Sequence, residues 1–335
     1  MAGQGYAVAV VGATGAVGET LLQILDERKF PVRTLRLFAS ERSAGRRLHF
    51  QEEELPVEPL AADAFRGVEV AFFSAGAGRS KEFAPAAARA GAIVIDNSSA
   101  FRMDPEVPLV VPEINPEAAF RHKGIIANPN CTAIVMLMPL KPLHDHARVR
   151  RVVATSYQAV SGAGAKAIEE LKRQVTAWVK GEPLTTEVFP HQIAFNVLPQ
   201  VDAFLEDGYT REEMKLVNEM RKILGDEHIQ VSPTTVRVPV FRAHAVAVNV
   251  ETERPVSVAT ARQLFAAFPG LRVLDDPSRL EYPMPLTVAG TDDCYVGRIR
   301  QDLFRENGLN FWAVGDQLRK GAALNAVQIA ELLIR

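Results

Sequence analysis

The chain has 335 residues, of which 47% are hydrophobic, and a formal net charge of −2. This length corresponds to about two domains, and the composition is typical of a globular protein. The near-neutral charge gives no support for a nucleic-acid-binding protein, which normally carries a basic surplus. Two cysteines are too few for a disulfide framework, and no apolar run approaches the about 20 residues that span a bilayer. We therefore expect a cytoplasmic protein without nucleic-acid or membrane partners.

The first part of the chain alternates short apolar runs with helical patterns. Tyr6–Val11 is an apolar run that ends in GATGAVG, and Glu19–Arg28 has leucine and isoleucine at helical spacing. Further strands are predicted at Thr34–Phe38, Val68–Ser74, Ala92–Asp96 and Ile125–Ala127, with a helix at Glu82–Ala90. Strands that alternate with helices predict the α/β class, with a parallel sheet covered on both faces.

The pattern changes after Pro129. Arg151–Val160 and Thr234–Val250 are longer strand candidates, separated by the charged helices Lys166–Lys180 and Arg211–Leu224. Strands and helices in this less regular order predict an α+β second domain. The apolar helix Gly321–Leu333 could return to the first domain. The predicted boundaries are 1–129 for a nucleotide-binding domain, 130–315 for a catalytic domain, and 316–335 for the returning C-terminal helix.

Three glycines follow the first predicted strand. Gly12, Gly15 and Gly18 form G-x-x-G-x-x-G between a strand and a helix. A backbone that closely approaches a pyrophosphate needs residues without Cβ, and the following helix offers free N–H groups. This pattern predicts cofactor binding by Gly12, Thr14, Gly15, Ala16, Val17 and Gly18. The alternative is a tight turn that only packs the helix on the strand.

The end of the second predicted strand bears on cofactor choice. A site for NAD would place an acidic residue there to hold the ribose hydroxyl. The sequence instead has Ser40-Glu41-Arg42-Ser43, and a guanidinium flanked by two hydroxyls suits the 2′-phosphate of NADP(H). Glu41 could instead hold a ribose, and Arg42 could be a solvated loop cation. We predict NADP(H), bound through Ser40, Arg42 and Ser43.

Cys131 is the candidate nucleophile. It follows Asn128-Pro129-Asn130 and opens an apolar helical stretch, with Asn130 as a plausible helix cap. A thiol in the first turn of a helix has a lowered pKa because of the positive end of the helix dipole. Cys294 lacks such a context and is expected to be an inert core residue. His244 is a candidate base after RVPVFRA, although a histidine at a strand end is often only structural.

Several motifs occur together in one order: GATGAVG, SERSAG, DNSSAFR, NPNCT, SYQAVSGAG, HQIAFNVLPQ, EEMK, RVPVFRAH and GAALNAVQ. In this combination, from about Val8 to Gln328, the chain resembles aspartate-semialdehyde dehydrogenases. The resemblance implies a Rossmann-type dinucleotide-binding domain and an α+β catalytic and dimerisation domain in a homodimer or dimer of dimers, without a metal. It also implies NADPH-dependent reduction of L-aspartyl-4-phosphate to aspartate 4-semialdehyde, in the biosynthesis of lysine, threonine and methionine.

The resemblance also implies roles for individual residues. Cys131 would form a thioester, His244 would be the acid/base, and the backbone at Asn130–Cys131 would hold the oxyanion. Gln158 would orient the substrate, while Ser161, Gly162 and Asn325 would lie near the nicotinamide. Arg102 and Lys215 would bind the phosphate, Arg237 the α-carboxylate and Glu212 the ammonium group.

Two features of the sequence bear on these implied roles. Thr210 and Glu213 have the spacing of a helix capping box, and Glu212 with Lys215 could be an ordinary i,i+3 surface pair. Ala243 stands where the family usually has a glycine before the catalytic histidine. Because alanine does not easily adopt a positive φ, we expect a backbone there that differs slightly from that of the family.

Two other functions share part of this pattern. N-acetyl-glutamyl-phosphate reductases share the fold and the thioester chemistry but typically have glycine before and tyrosine after the cysteine, where this chain has Asn130 and Thr132. A non-catalytic paralogue that only binds a dinucleotide would be expected to lose Cys131 or His244, and both are present.

Overall fold

Two β-sheets organise residues 5–334, the part of the chain that the computed structural model describes. The chain divides into two units: the first contains residues up to Asn130 together with those from Ala322 onward, and the second contains Cys131–Gly321. Each unit contains one of the sheets. No helix within the described range is long and apolar enough to cross a membrane.

The first unit is built on a seven-stranded sheet. Its elements are β1 (Tyr6–Val11), α1 (Ala16–Glu27), β2 (Val32–Ala39), β3 (Arg47–Phe50), β4 (Glu53–Pro59), β5 (Val70–Phe73), α2 (Ala77–Arg89), β6 (Ile93–Asp96) and β7 (Ile125–Ala127). The strand order is β3-β4-β2-β1-β5-β6-β7, and every neighbouring pair is parallel except β3 with β4. The strand order reverses beside β1, where such sheets form a ligand crevice at the strands' carboxyl ends.

Burial on both faces explains the continuous apolar sequence of β1. Val8 and Val10 belong to one hydrophobic cluster, while Ala9 and Val11 belong to another on the opposite face. Alternating side chains of a strand point to opposite faces, so a sheet covered on both sides needs apolar residues at every position. The parallel α/β character predicted for this part of the chain is confirmed.

The second unit is built on a six-stranded mixed sheet. Its elements are α3 (Cys131–Ala147), β8 (Val149–Gln158), α4 (Ala165–Lys180), α5 (Arg211–Leu224), β9 (Gln230–Arg237), β10 (His244–Thr252), α6 (Val258–Ala267), β11 (Leu271–Val273), α7 (Pro285–Val288), β12 (Cys294–Gln301) and β13 (Gly308–Gly315). The strand order is β11-β12-β13-β10-β8-β9. Only the outer pairs β11–β12 and β8–β9 are parallel. The predicted α+β character is confirmed.

One sequence prediction of secondary structure is wrong. Thr234–Val250 is not one strand, because β9 ends at Arg237 and β10 begins at His244. Pro239 lacks the N–H needed to continue a ladder, and Ala243 has a φ of 70°. The predicted C-terminal helix Gly321–Leu333 is confirmed, although its first turn is π-helical. The carboxylate of Asp316 accepts hydrogen bonds from the N–H groups of Leu318 and Arg319. A π-helical turn, Arg319–Ala323, follows and precedes α8 (Leu324–Leu333).

Candidate active site

In the glycine turn of the first unit, Gly12 and Gly18 have no room for a Cβ. Gly12 has a φ of 87°, and a Cβ there would lie 2.4 Å from the carbonyl oxygen of Ser74. A Cβ on Gly18 would lie 2.2 Å from the carbonyl oxygen of Gly12. Helix α1 begins directly after Gly15. The first N–H groups of the helix, beginning with those of Ala16 and Val17, therefore lie at the turn. Such a helix start binds anions.

The end of β2 lies beside this turn. The Thr14 hydroxyl donates to Ser43 Oγ at 3.4 Å, and Ser40 precedes the short 3₁₀ turn Glu41–Ser43. Arg42 is exposed within that turn, and no carboxylate of residues 5–334 forms an ion pair with it. An uncommitted guanidinium between two serines fits a 2′-phosphate.

Two further predicted residues of the first unit converge on Asn128. The Nε of Arg102 donates to the carbonyl oxygen of Asn128 at 2.9 Å, and one terminal nitrogen donates to that of Asn97 at 2.8 Å. The Nδ2 of Asn325, in α8, donates to Asn128 Oδ1 at 2.6 Å and to the carbonyl oxygen of Val110 at 2.9 Å. These bonds fix both side chains. Asn130, also buried, follows two residues later.

Cys131 is the first residue of α3 and is half-buried. The start of a helix lowers the pKa of a thiol. The π-helical turn of the second unit lies against it, because a Cβ on Gly321 would be 2.9 Å from the Cβ of Cys131. Cys294, in β12, is fully buried. The chain thus has one thiol at a helix start and one inside the core.

His244 begins β10 and is fully buried. Its Nδ1 accepts a hydrogen bond from the N–H of Ala159 at 3.0 Å, so the neutral imidazole carries its proton on Nε2. Nε2 has no hydrogen-bond partner within the described residues, and a Cβ on Gly162 would lie 3.1 Å from it. Burial, and then the charge of Arg237, hold the pKa of His244 well below its ordinary value, although the backbone of Ala243 opposes this.

Arg237 ends β9 and lies beside Ala159 and Gly162. Its Nη1 donates to the carbonyl oxygen of Ala159 at 2.7 Å and would be 2.8 Å from a Cβ on Gly162. Burial lowers the pKa of Arg237, while the charges of Glu212 and Cys131 oppose that shift. The guanidinium is therefore within electrostatic reach of both the candidate nucleophile and a buried carboxylate.

The carboxylate of Glu212 connects two other predicted residues. Gln158 Nε2 donates to Glu212 Oε1 at 3.2 Å, and Lys215 Nζ lies 3.0 Å from Glu212 Oε2 and 2.9 Å from Asp202 Oδ2. Burial opposes the charged form of Lys215, but the two carboxylates outweigh it and raise the pKa of Lys215. Glu212 is only 5% exposed, so the carboxylate of the Glu212–Lys215 ion pair is buried.

The predicted capping box of α5 is confirmed. Glu213 N donates to Thr210 Oγ1, and Thr210 N donates to Glu213 Oε2 at 2.7 Å. Glu213 Oε1 also accepts from the N–H of Thr235 at 2.9 Å. Glu213 therefore fastens the start of α5 to β9, which carries Arg237.

Sequence reasoning missed three contributors. Ala159 supplies its N–H to His244 and its carbonyl to Arg237, and backbone groups leave no signal in residue type. Asp202, a loop residue whose own φ is 68°, pairs with Lys215. Gln317 accepts from the N–H of Ala243 at 2.7 Å and donates to the hydroxyl of Ser161. Gln317 lies two residues after the end of β13, outside all of the motifs that carry the family resemblance.

Together these groups suit chemistry on an anionic acyl compound. A thiol at a helix start can attack an acyl carbon, and a buried N–H donor can stabilise charge on the acyl oxygen. A buried guanidinium binds carboxylates in a fork, and a buried carboxylate binds a cationic group. The second unit contains all four groups.

Comparison with known proteins identifies the family. Residues 7–122 match the semialdehyde dehydrogenase NAD binding domain, and residues 140–320 match the semialdehyde dehydrogenase dimerisation domain. The chain is 56% identical over 335 residues to the aspartate-semialdehyde dehydrogenase of Aquifex aeolicus, covering 99% of this chain and 98% of the relative. It is 51% identical to that of Synechocystis over 98% of this chain and 97% of the relative.

Solved structures agree with these sequence matches. The crystal structure of aspartate semialdehyde dehydrogenase II from Vibrio cholerae, complexed with ASA, has a TM-score of 0.96 and 48% identity, over 99% of this chain and 98% of that one. The Candida albicans enzyme, solved with NADP, has a TM-score of 0.75 and 25% identity over 98% of each chain. The resemblance drawn from the motifs is confirmed, and the chain belongs to the aspartate-semialdehyde dehydrogenase family of oxidoreductases.

Proposed function

We propose that this enzyme reduces L-aspartyl-4-phosphate to L-aspartate 4-semialdehyde with NADPH, through a thioester on Cys131. The observation that carries the proposal is the position of Cys131 at the start of α3, in the same unit as the buried imidazole of His244, whose Nε2 has no partner within residues 5–334. A buried polar atom of this kind is typically completed by a ligand. The product would serve the biosynthesis of lysine, threonine and methionine.

The acyl chemistry is assigned to the nucleophile and its neighbours. The Cys131 thiolate attacks the acyl carbon, so the carbon–sulfur bond forms as the carbon–oxygen bond to phosphate breaks. Backbone N–H groups at Asn130–Cys131 hold the oxyanion. Once the hydride that bound NADPH would supply has added to the thioester carbon, the Nε2–H of His244 would protonate the oxygen of the resulting thiohemiacetal. His244 takes the proton back when the aldehyde carbonyl re-forms and the thiolate departs.

The charges of the pocket match an aspartyl substrate. Arg237 binds the α-carboxylate, and Glu212 binds the ammonium group. Lys215 and Arg102 bind the phosphate, while Gln158, fixed by its bond to Glu212, orients the acyl group. A buried carboxylate at Glu212 favours a free ammonium over an acetylated amine. This argues against the N-acetyl-glutamyl-phosphate reductase alternative.

The cofactor is assigned to the glycine turn. Gly12, Thr14, Gly15, Ala16, Val17 and Gly18 hold the diphosphate; Ser40, Arg42 and Ser43 hold the 2′-phosphate; and Ser161, Gly162 and Asn325 contact the nicotinamide. When bound, NADPH supplies the hydride that converts a thioester into an aldehyde. The NADP in the Candida albicans structure and the exposed guanidinium of Arg42 after β2 support NADP rather than NAD.

We propose a homodimer, or a dimer of dimers, as the working form, since residues 140–320 match a dimerisation domain. Light scattering coupled to gel filtration tests this directly. A monomer at assay concentration would contradict it.

The matched variants Cys131→Ala and Cys294→Ala test the covalent mechanism. The assay follows NADPH formation from aspartate semialdehyde, phosphate and NADP. Because the nucleophile is lost, Cys131→Ala is expected to lower kcat by at least about 10⁴-fold, whereas Cys294→Ala, a change in the core, keeps most of the activity. Full activity of Cys131→Ala would exclude the thioester. Activity only with N-acetylglutamate semialdehyde would exclude the proposed substrate.

A further inference from the structure

Ala243 has an unusual backbone conformation for its residue type. Its φ is 70°, in the left-handed region that disfavours a residue with a Cβ. Its side chain is fully buried and belongs to a hydrophobic cluster with Ala245, Val288 and Val314. The residue therefore cannot relax toward solvent, and the surrounding structure must maintain the conformation.

One side chain holds this backbone in place. The N–H of Ala243 donates to Gln317 Oε1 at 2.7 Å, and the Nε2 of Gln317 donates to the hydroxyl of Ser161. Gln317 is 2% exposed and follows β13, whose last residue, Gly315, pairs with His244 in the sheet. Both ends of the amide are thus committed inside the protein.

The conformation of Ala243 sets the direction in which His244 enters β10. The imidazole is then fixed on one side by the N–H of Ala159. On another side it lies against Gly162, where a Cβ would be 3.1 Å from both Cε1 and Nε2. With so little space, a small rotation at residue 243 would move Nε2 away from its position.

We infer that Gln317 is a positioning residue, which maintains the left-handed conformation of Ala243 and thereby the direction of the His244 Nε2–H. This inference rests on the acid/base role proposed above for His244. Gln317 also ties His244 to Ser161, so that the acid/base group and the Ser161–Gly162 turn keep a fixed separation.

The test combines Gln317→Met, which has similar length but no hydrogen bonds, with Ala243→Gly. Gln317→Met is expected to lower kcat by about 10- to 100-fold, because misplacement of a catalytic group by a fraction of an ångström to 1 Å has effects of that order. The KM for NADP is expected to change less than about twofold. Glycine adopts a φ of 70° without a steric penalty. The double variant Gln317→Met/Ala243→Gly is therefore expected to recover most of the kcat lost in Gln317→Met, so that its kcat approaches that of Ala243→Gly alone.

A purely structural role for Gln317 would not give this pattern of rescue. Gln317→Glu keeps an acceptor for the Ala243 N–H and can accept from the Ser161 hydroxyl, so it should lose less kcat than Gln317→Met. If Gln317→Met does not fold, Gln317→Glu with and without Ala243→Gly tests the inference instead. In protein labelled with ¹⁵N-histidine, the His244 signal should show protonated Nε2 in the wild type and shift in Gln317→Met. His244→Asn assigns that signal.

The possible outcomes separate the inference from the proposed function. If His244→Asn is inactive but Ala243→Gly gives no rescue, the positioning role is wrong and the acid/base role stands. A rise in the KM for NADP with unchanged kcat in Gln317→Met would also overturn the inference, in favour of cofactor contact. If His244→Asn retains full activity, the acid/base role and the inference both fail.

Discussion

Two turns, one in each unit, need glycine for different reasons. In the first unit, a Cβ on Gly18 would meet the backbone of Gly12 and Ala13, and a Cβ on Gly12 would meet the backbone of Ser74. In the second unit, a Cβ on Gly162 would meet only the side-chain atoms of Arg237 and His244. The first turn therefore excludes side chains through backbone atoms, its own and those of Ser74, whereas the second excludes them through the side chains of Arg237 and His244.

This difference separates stability from catalysis. Backbone obstacles cannot move without distorting the strand–turn–helix unit, so an alanine at Gly18 should strain the fold of the first unit itself. The guanidinium and imidazole beside Gly162 can move by side-chain rotation. An alanine there should leave the fold nearly intact and displace the two groups on which the proposed chemistry depends.

Gly162→Ala is the strongest test of this comparison. The added Cβ would lie 2.8 Å from Arg237 Nη1 and 3.1 Å from His244 Nε2, so both groups must shift. We expect kcat/KM for aspartate semialdehyde to fall about 100-fold. The melting temperature should change little, because the displaced atoms are at the ends of side chains. Steady-state kinetics and thermal unfolding of the same preparation measure the two quantities.

Gly78→Ala, in α2, is the matched control, because a Cβ there meets nothing within 4 Å. It is expected to keep the wild-type kcat/KM and to melt at or slightly above the wild-type temperature, because alanine is a better helix former than glycine. Gly18→Ala should show the reverse of Gly162→Ala, with a lower melting temperature and weaker NADP binding. If Gly162→Ala loses stability as severely as Gly18→Ala, the distinction drawn here is wrong.

The cofactor side of the comparison is sharpened by Arg42→Ala. Because Arg42 is exposed beside the glycine turn, its loss should remove a charged contact to the 2′-phosphate and leave the turn unchanged. We expect the KM for NADP to rise about tenfold, which is typical for a hydrogen bond to a charged group, and the KM for NAD to stay the same. Arg46→Ala, which removes an exposed arginine from the same loop, is the control. Equal effects on NADP and NAD would rule out the proposed contact.

The elements that the sequence predicted are those determined by neighbours along the chain. The β1–turn–α1 unit, the helix that begins at Cys131 and the Thr210–Glu213 capping box each lie within one short, continuous stretch of the chain. Each has a local physical reason for its residue types: an apolar strand, a glycine turn, a helix start.

Several features that the sequence did not predict depend on distant partners. β4 and β13 were missed, and each pairs with a strand that is distant in the chain, β2 and β10 respectively. β3 and β12 were missed as well, although they pair with the strands that follow them. Thr234–Val250 has a continuous strand pattern, but the chain turns at Pro239 and Ala243. Asp202 and Gln317 contact Lys215 and Ala243 from loops whose sequence has no motif, and Ala159 contributes backbone groups that any residue other than proline would provide. Motif resemblance named most of the side chains of the pocket but none of these supports.

The smallest predicted effect concerns acid stability in the second unit. The pKa of His244 is well below its value of about 6.5 in the unfolded chain. Between these two pKa values the unfolded state binds more protons than the folded state, so the free energy of unfolding decreases as the pH falls below about 6.5. One such group contributes a slope of at most about 1.4 kcal/mol per pH unit.

His244→Asn should remove this contribution, so denaturant unfolding at pH 7.5, 6.5 and 5.5 should show a shallower loss of stability than in the wild type, by about 1 kcal/mol per pH unit or less. His122 and His144, whose pKa values burial also lowers, are present in both proteins and give the remaining slope. His191→Asn, at an exposed position, should behave like the wild type. Equal slopes for His244→Asn and the wild type would mean that the imidazole is not buried in its neutral form, and the assignment of its proton to Nε2 would lose its basis.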